Sequence, residues 1–399
     1  MKKLLMILTI VSLVGAAAAA QATITIYADD TRTPLLRDIG VEFTAATGVT
    51  VEVVEFPWND LRPNFITATQ AGEGPDIIIW AHDAVGELVA SGLIEPLDLG
   101  ARAADFSSAA LEAFTVGGTV YGMPYGTENL SLIYNKEFVP QPPRTWDEVL
   151  AICRALYDPD APMYGLAFQN TAGNFYQFFP MLSAAGGYIF GLNPDGTYNP
   201  CDVGLYTPGA IFGATLYQDM LEEGILPNGV DWDTLNALVA GKNVAMVITG
   251  PWLLNAIQDA GWDYGITRIP VIQGADGVYH QPKVFTGVQG FMLSAFSENK
   301  TIAMDFLLNY VATTDVMAEI ALAGNRVPTF IPAIGSAPAD LAAFAEQAAF
   351  GLPMPSIPQM ASIWQEGGNA LDLINNGTDP ALALAQAQTL ILQAVGCEE

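Results

Sequence analysis

The sequence predicts an α/β chain built as two domains, on three observations. Apolar strand-like runs alternate with helix-periodic segments along the whole chain. No long linker, internal repeat or low-complexity tract interrupts them. Its 399 residues exceed the roughly 300 at which a single hydrophobic core stops growing.

The elements follow in order. Residues 1–20 read as an export signal: Lys2 and Lys3 form a basic start, Leu4 to Val14 an apolar stretch, and Ala18-Ala19-Ala20 a small-residue cleavage pattern before Gln21. No cysteine follows the apolar stretch, so a soluble periplasmic or extracellular protein is expected, with cleavage near Ala20. Ile24 to Tyr27 is a short strand, and Leu35 to Thr44, between Pro34 and Gly48, a helix. Val49 to Val54 alternates at period two, as a strand with one more polar face should. Trp58 and Arg62 fall in what reads as a loop after it. Asp76 to Trp80 is a continuous apolar run between Gly74-Pro75 and His82-Asp83, which suits a parallel strand covered on both faces. Thr145-x-x-Glu148 is a capping box opening a helix in which Trp146 packs inward. Val244 to Thr249 is a strand that runs into Pro251, a first helical position that sets Trp252 at a strand-to-helix junction. Ala303, Phe306, Leu307 and Tyr310 recur at helical spacing.

Composition removes several functions. Fourteen Lys plus Arg against forty-two Asp plus Glu give a net charge of −28, which repels nucleic acid and anionic membranes. His82 and His280 have no metal-binding companions at zinc spacing, so no metal site is expected. There is no G-x-S-x-G, G-x-x-x-x-G-K-[ST] or G-x-G-x-x-G, hence no sequence basis for a serine hydrolase, a P-loop NTPase or a nicotinamide enzyme, and no cofactor is expected. Export permits a disulfide between Cys153 and Cys201 with Cys397 free; three free thiols are the alternative.

Ligands of open parallel sheets bind beyond the carboxyl ends of the strands. Those ends lead here into Ala28-Asp29-Asp30, Trp80-Ala81-His82-Asp83 and Gly250-Pro251-Trp252. Carboxylates and indoles with few bases nearby, only Arg32 and Arg62, suit a neutral sugar: flat rings stack on its apolar faces and carboxylates accept from its hydroxyls.

Six segments then occur in register. Gly72-Glu-Gly-Pro-Asp-Ile-Ile-Ile-Trp-Ala-His-Asp83, Glu128-Asn-Leu-Ser-Leu-Ile-Tyr-Asn-Lys136, Pro142-Pro-Arg-Thr-Trp-Asp-Glu148, Ala185-Gly-Gly-Tyr188, Thr249-Gly-Pro-Trp252 and Ile357-Pro-Gln-Met360 with Trp364 together resemble the bacterial maltose/maltodextrin-binding proteins over essentially the whole chain after the signal. The resemblance implies a type II periplasmic-binding fold: two α/β lobes, joined by strands that cross between them more than once, close on an oligosaccharide. One lobe would hold residues 21–127 plus 285–335, the other 128–284 plus 336–399. It also implies ligand contacts from Asp30, Trp80, Asp83, Glu128, Tyr176, Trp232, Trp252, Met354 and Trp364, with Thr31, Arg62, Ala81, Asn174 and Phe175 as secondary candidates. Thr31, Ala84 and Asn174 stand where close relatives carry Lys, Arg and Glu, and Trp232 where they often carry Tyr. Arg62 or Trp58 is a candidate replacement for the lost groups.

Structural alternatives accompany these assignments. Trp80 would seal a core, Met354 would fill one, His82 would bond within its turn, and Asp29 would cap the helix near Pro34. The expected function is a non-catalytic, monomeric receptor that captures maltose-like α-glucosides and delivers them to an ABC-type membrane permease. Binding of another disaccharide such as trehalose or sucrose, or an exported glycosidase using Asp83 and Glu128, are the alternatives.

Overall fold

The computed structural model describes residues 22–158, 160 and 163–397; the export signal expected over residues 1–20 lies outside them. The strand-like runs pair into a seven-stranded and a four-stranded sheet. Their strands in chain order are β1 (Thr23–Ala28), β2 (Thr50–Glu55), β3 (Ile77–Ala81), β4 (Met123–Asn129), β5 (Ser131–Asn135), β6 (Tyr164–Ala167), β7 (Val244–Thr249), β8 (Tyr264–Thr267), β9 (Phe285–Leu293), β10 (Val327–Pro328) and β11 (Leu352–Pro353). The larger sheet runs β10-β4-β9-β3-β1-β2, with β11 also on β9, and the smaller runs β8-β5-β7-β6. Helices that position the site are α1 (Thr33–Thr47), α2 (Trp58–Gln70), α3 (Trp146–Leu156), α4 (Phe175–Ala184), α5 (Trp232–Ala240), α6 (Met360–Asn375) and α7 (Pro380–Ala394). The chain passes from the larger to the smaller sheet between Asn129 and Ser131, and is back in the larger at Phe285.

The apolar run of β3 is buried at every residue. It lies parallel to β1, with Ile26 beside Ile77, but antiparallel to β9, with Ile79 beside Phe291. Coverage of both faces, not the direction of the neighbours, is what makes it apolar throughout, and this corrects the expectation of a parallel environment. At the sheet edge β2 buries only Val53 and alternates as its sequence does. Gly40 lets α1 lie against it, because a Cβ there would come within 2.8 Å of the Val51 Cβ. Phe43, one turn further, is fully buried with its ring 5.2 Å from that of Phe306, a burial that contributes about 1.5–3 kcal/mol.

Residues 58–70 form a helix, not a loop. Pro63 inside it reads as a breaker in sequence, yet Leu61, Phe65 and Thr69 keep one apolar face buried at intervals of four. The capping box holds in altered form. Thr145 Oγ1 accepts from the Glu148 backbone N–H at 3.3 Å, while the Glu148 carboxylate reaches the N–H of Arg144, one residue before the cap. Trp146 is buried, as expected. The helix predicted around residues 303–310 starts as α over Lys300–Asp305 and widens to a π-helix over Phe306–Val311.

The disulfide joins Cys201 to Cys397, with Cα atoms 5.6 Å apart, not Cys153 to Cys201. Cys153 faces inward from α3 and is sealed against Gly165 of β6, where an added Cβ would lie 2.8 Å from its sulfur. Burial pushes its thiol up to about 12, which keeps it protonated and unreactive. Cys201 and Cys397 stand on an outer strand and just beyond α7, and their bond spans 196 residues. Constraining so long a loop in the unfolded chain contributes about 2–5 kcal/mol. Cys397→Ser should therefore lower the urea midpoint and the Tm of the oxidised protein to those of the reduced wild type, whereas Cys153→Ala should leave sensitivity to reductant unchanged.

Candidate functional site

Three strand exits bring the predicted residues to one region. Beyond β1, the Asp29 carboxylate pairs with Arg32 and accepts from Thr31 Oγ1 at 3.0 Å. Asp29 thus neutralises a buried guanidinium and does not cap α1 through its side chain. Burial opposes its charge, but Arg32 more than offsets this and holds the carboxyl below its usual range. Arg32 also donates to Tyr125 Oη. Asp30 is exposed and accepts from the Thr31 backbone N–H; partial desolvation and the neighbouring Asp29 raise its pKa.

Beyond β3, His82 acts as a clamp. Its Nδ1 accepts from the Val288 N–H at 3.1 Å, which assigns the proton to Nε2, and Nε2 donates to the Met354 carbonyl at 3.0 Å. The ring ties the β3 exit to β9 and to the segment after β11. Gly86 makes room for that segment, since a Cβ there would meet the Ser356 carbonyl at 2.3 Å. Burial pulls His82 down to about 4, so it stays neutral at ordinary pH. The next residue behaves oppositely. Asp83 is pushed up to about 6 by burial, which outweighs the opposing effects of Arg62 and the Trp364 hydrogen bond. Trp364 Nε1 donates to Asp83 Oδ2 at 2.8 Å, and an Arg62 nitrogen lies 3.9 Å from the same oxygen and 3.5 Å from Glu87. Ala81 and Ala84 are buried and present only small side chains.

From the smaller sheet, β7 leads into Trp252, whose ring centre is 6.2 Å from that of Tyr176 on α4. Tyr176 lies 6.4 Å from Trp364 on α6 and 5.7 Å from Phe285, and its hydroxyl donates to the Phe285 carbonyl at 3.1 Å. An unbroken line of contacts thus runs from the exit of β7 through Tyr176 and Trp364 to Asp83 at the exit of β3. Glu128 stands at the crossover, on β4. Its two oxygens accept from Gln289 Nε2 at 2.7 Å and Arg326 Nε at 2.5 Å. Met354 is buried against β9 beside Gly287.

Some predicted residues stand outside this line. Phe175 is fully buried and supports Trp364 from behind, ring to ring at 6.3 Å. Asn174 belongs to a buried amide chain, accepting from Gln169 and donating to Thr171. Trp232 opens α5 and is 37% exposed. Hydrogen bonds between Asn170 and Val230 bring its segment to the exit of β6, but no aromatic ring contacts it among the described residues.

Sequence reasoning left out Arg326, Gln289 and Tyr125, which reach the site from positions remote in the chain with no local signal. It undervalued Trp58, for which a signal existed. Trp58 and Arg62 are four residues apart on α2, hence on one face, and that face meets the β3 exit, where Trp58 stacks on Trp80. Arg326 is a third base at the exits. Arg32, Arg62 and Arg326 each sit beside a carboxylate, Asp29, Asp83 and Glu128, so the site holds guanidinium donors without surplus positive charge.

Two mixed α/β sheets joined by adjacent crossing strands, with aromatic rings and paired carboxylates gathered where their strand ends meet, define a solute-binding protein. The chain belongs to the family described as bacterial extracellular solute-binding protein, which matches residues 38–352. It is 31% identical over 380 residues to the galactooligosaccharide-binding protein of Bacillus subtilis (strain 168), covering 91% of this chain and 87% of that one. It is 30% identical to the maltotriose-binding protein of Pyrococcus abyssi (strain GE5 / Orsay), over 81% of this chain and 71% of the relative. To the maltodextrin-binding protein MdxE of Bacillus subtilis (strain 168) it is 25% identical, over 88% and 84%.

Opposite titrations at adjacent positions give a test of the site's electrostatics. Below about pH 6.5 the unfolded chain protonates His82 before the native state does, so stability is lost as pH falls toward 4. Below about pH 6 the native state protonates Asp83 before the unfolded chain does, so stability is gained over nearly the same range. Each contribution is about 3 kcal/mol, and the two largely cancel. In urea titrations at pH 7 and pH 4, Asp83→Asn should lose about 2–3 kcal/mol more than wild type on acidification, and His82→Gln should lose that much less. Equal pH dependence in all three proteins would refute the assignment.

Proposed function

We propose that the chain is an exported, non-catalytic receptor that captures a neutral oligosaccharide of the maltose/maltodextrin type between two lobes and hands it to an ABC-type membrane permease. The lobes are taken as residues 21–127 plus 285–335 and 128–284 plus 336–399, acting as a monomer. The observation that carries this reading is the continuous line Trp252, Tyr176, Trp364, Asp83, which joins the strand exits of both sheets. Indole and phenol rings supply apolar faces for pyranoses, and Asp83 and Asp30 accept from hydroxyls. The neutral pairing of the three arginines disfavours an anionic ligand. Family membership and the names of the relatives support the oligosaccharide class.

Ligand capture proceeds by exchange. The groups that would receive a sugar already have protein partners: Trp364 on Asp83, Gln289 and Arg326 on Glu128. A sugar hydroxyl donating to Asp83 takes over what Trp364 provides, and the difference in affinity between open and closed states drives closure. Arg62, beside Asp83, supplies a charged donor in place of the Lys and Arg absent at Thr31 and Ala84. It cannot accept as the Glu absent at Asn174 would, and this difference favours another linkage or chain length. The relative named for galactooligosaccharides, at 31% identity, supports a galactose-containing oligosaccharide as the second reading.

Isothermal titration with maltose, maltotriose, trehalose, sucrose, a β-galactooligosaccharide and cellobiose tests this. One of the first five should bind saturably at one site per chain, and Asp83→Asn should weaken it roughly tenfold to a hundredfold, the loss expected for a charged hydrogen bond. Raised pKa on Asp83 is also a property of a glycosidase acid. Incubation with maltotriose should nevertheless release no glucose, as the receptor reading requires. Sustained turnover would overturn the receptor reading.

A further inference from the structure

The indole at the exit of β3 is covered by a second indole. Trp80 is only 8% exposed, and the Trp58 indole lies on it with ring centres 3.9 Å apart and planes 7° from parallel. The Arg32 guanidinium stands over the Trp58 ring at 5.2 Å. Inside this stack the Trp80 Nε1 and the Arg32 Nη2 are buried without a hydrogen-bond partner among the described residues. Both groups lie beside the stack, where the oxygens of a ligand reaching it would find donors.

Trp58 sits at the end of its helix. It is the first residue of α2, follows Pro57 and is only half-buried, while the helix is held through Leu61, Phe65 and Thr69. Swinging its side chain away breaks the stack on Trp80 and the contact with Arg32 and leaves the buried face of α2 in place. Swinging it away also uncovers Trp80, where parallel stacking at van der Waals distance is what an apolar pyranose face would reproduce.

We propose that Trp58 is an internal competitor: it occupies, on Trp80, the position of a sugar ring and yields it when the oligosaccharide binds. This inference rests on the oligosaccharide reading above. The observed affinity is then the intrinsic one reduced by the fraction of molecules in which Trp58 has left the stack. It makes Trp58 a specificity residue as well, because a ligand displaces an indole only if its ring offers a broad C–H face; small polyols and open-chain sugars do not.

The test combines maltotriose and β-galactooligosaccharide titrations of wild type, Trp58→Ala and Trp58→Leu with circular dichroism of the wild type, which reads the exciton couplet of two stacked indoles. Loss of the couplet at saturation and about three- to tenfold tighter binding by Trp58→Ala are expected; binding by Trp58→Ala alone would support the proposal equally. A couplet that persists at saturation, or equal or weaker binding by a folded Trp58→Ala, would overturn it while leaving the receptor reading standing. The couplet decides the matter if the variants do not fold. Absence of binding by every protein would remove the oligosaccharide reading and this one with it.

Discussion

Strand β9 makes backbone pairings with three strands, β4, β3 and β11, and the site is registered against it. Its Phe285 carbonyl receives Tyr176, its Gly287 leaves room for Met354, its Val288 N–H fixes the tautomer of His82, and its Gln289 holds one oxygen of Glu128. Those four residues are separated by one or two positions, so the pleat alone sets their spacing. A slip of one residue would turn the Gln289 side chain to the opposite face and the Phe285 carbonyl and Val288 N–H toward the opposite edge. That constraint explains why β9 is buried at nearly every residue: two-sided coverage fixes register where polar groups would tolerate several.

A second theme is how a chain with a net charge of −28 arranges its few bases. Arg32 and Arg326 are almost wholly buried and Arg62 nearly so, each next to a carboxylate. Burying such a pair rarely adds stability over apolar packing, although removing one partner is costly. Their effect is positional: each pair presents donors and acceptors at the strand exits without a net field. The acidic surface is a separate matter, since most carboxylates lie away from the site.

Aromatic rings and carboxylates also meet in single side chains. Trp364 contributes its ring to Phe175, Tyr176 and Phe285 and its N–H to Asp83, so one side chain serves both the packing of α6 and the contact across the strand exits. Trp80 and Trp58 differ in that their ring faces are closed on each other.

Much of this was legible in the residues. Strands β1, β3 and β7 announce themselves because continuous apolar runs have few alternatives, and their exits lead to Asp30, Trp80, Asp83 and Trp252. Helix α2 was hidden by Pro63, whose effect on the backbone is local and was outweighed by the apolar face of Leu61 and Phe65. The disulfide could not be chosen from three cysteines, because pairing depends on which sulfurs are exposed and within reach, and only Cys201 and Cys397 are. The sequence by itself determined the α/β class, the strand ends and the kinds of group they carry, since these follow from local periodicity and residue chemistry. Tertiary structure alone decided that Arg326 answers Glu128 across 198 residues, that Trp364 answers Asp83 across 281, and that Trp58 covers Trp80, because contacts between distant segments are set by how the sheets and helices pack and leave no periodic trace in the chain.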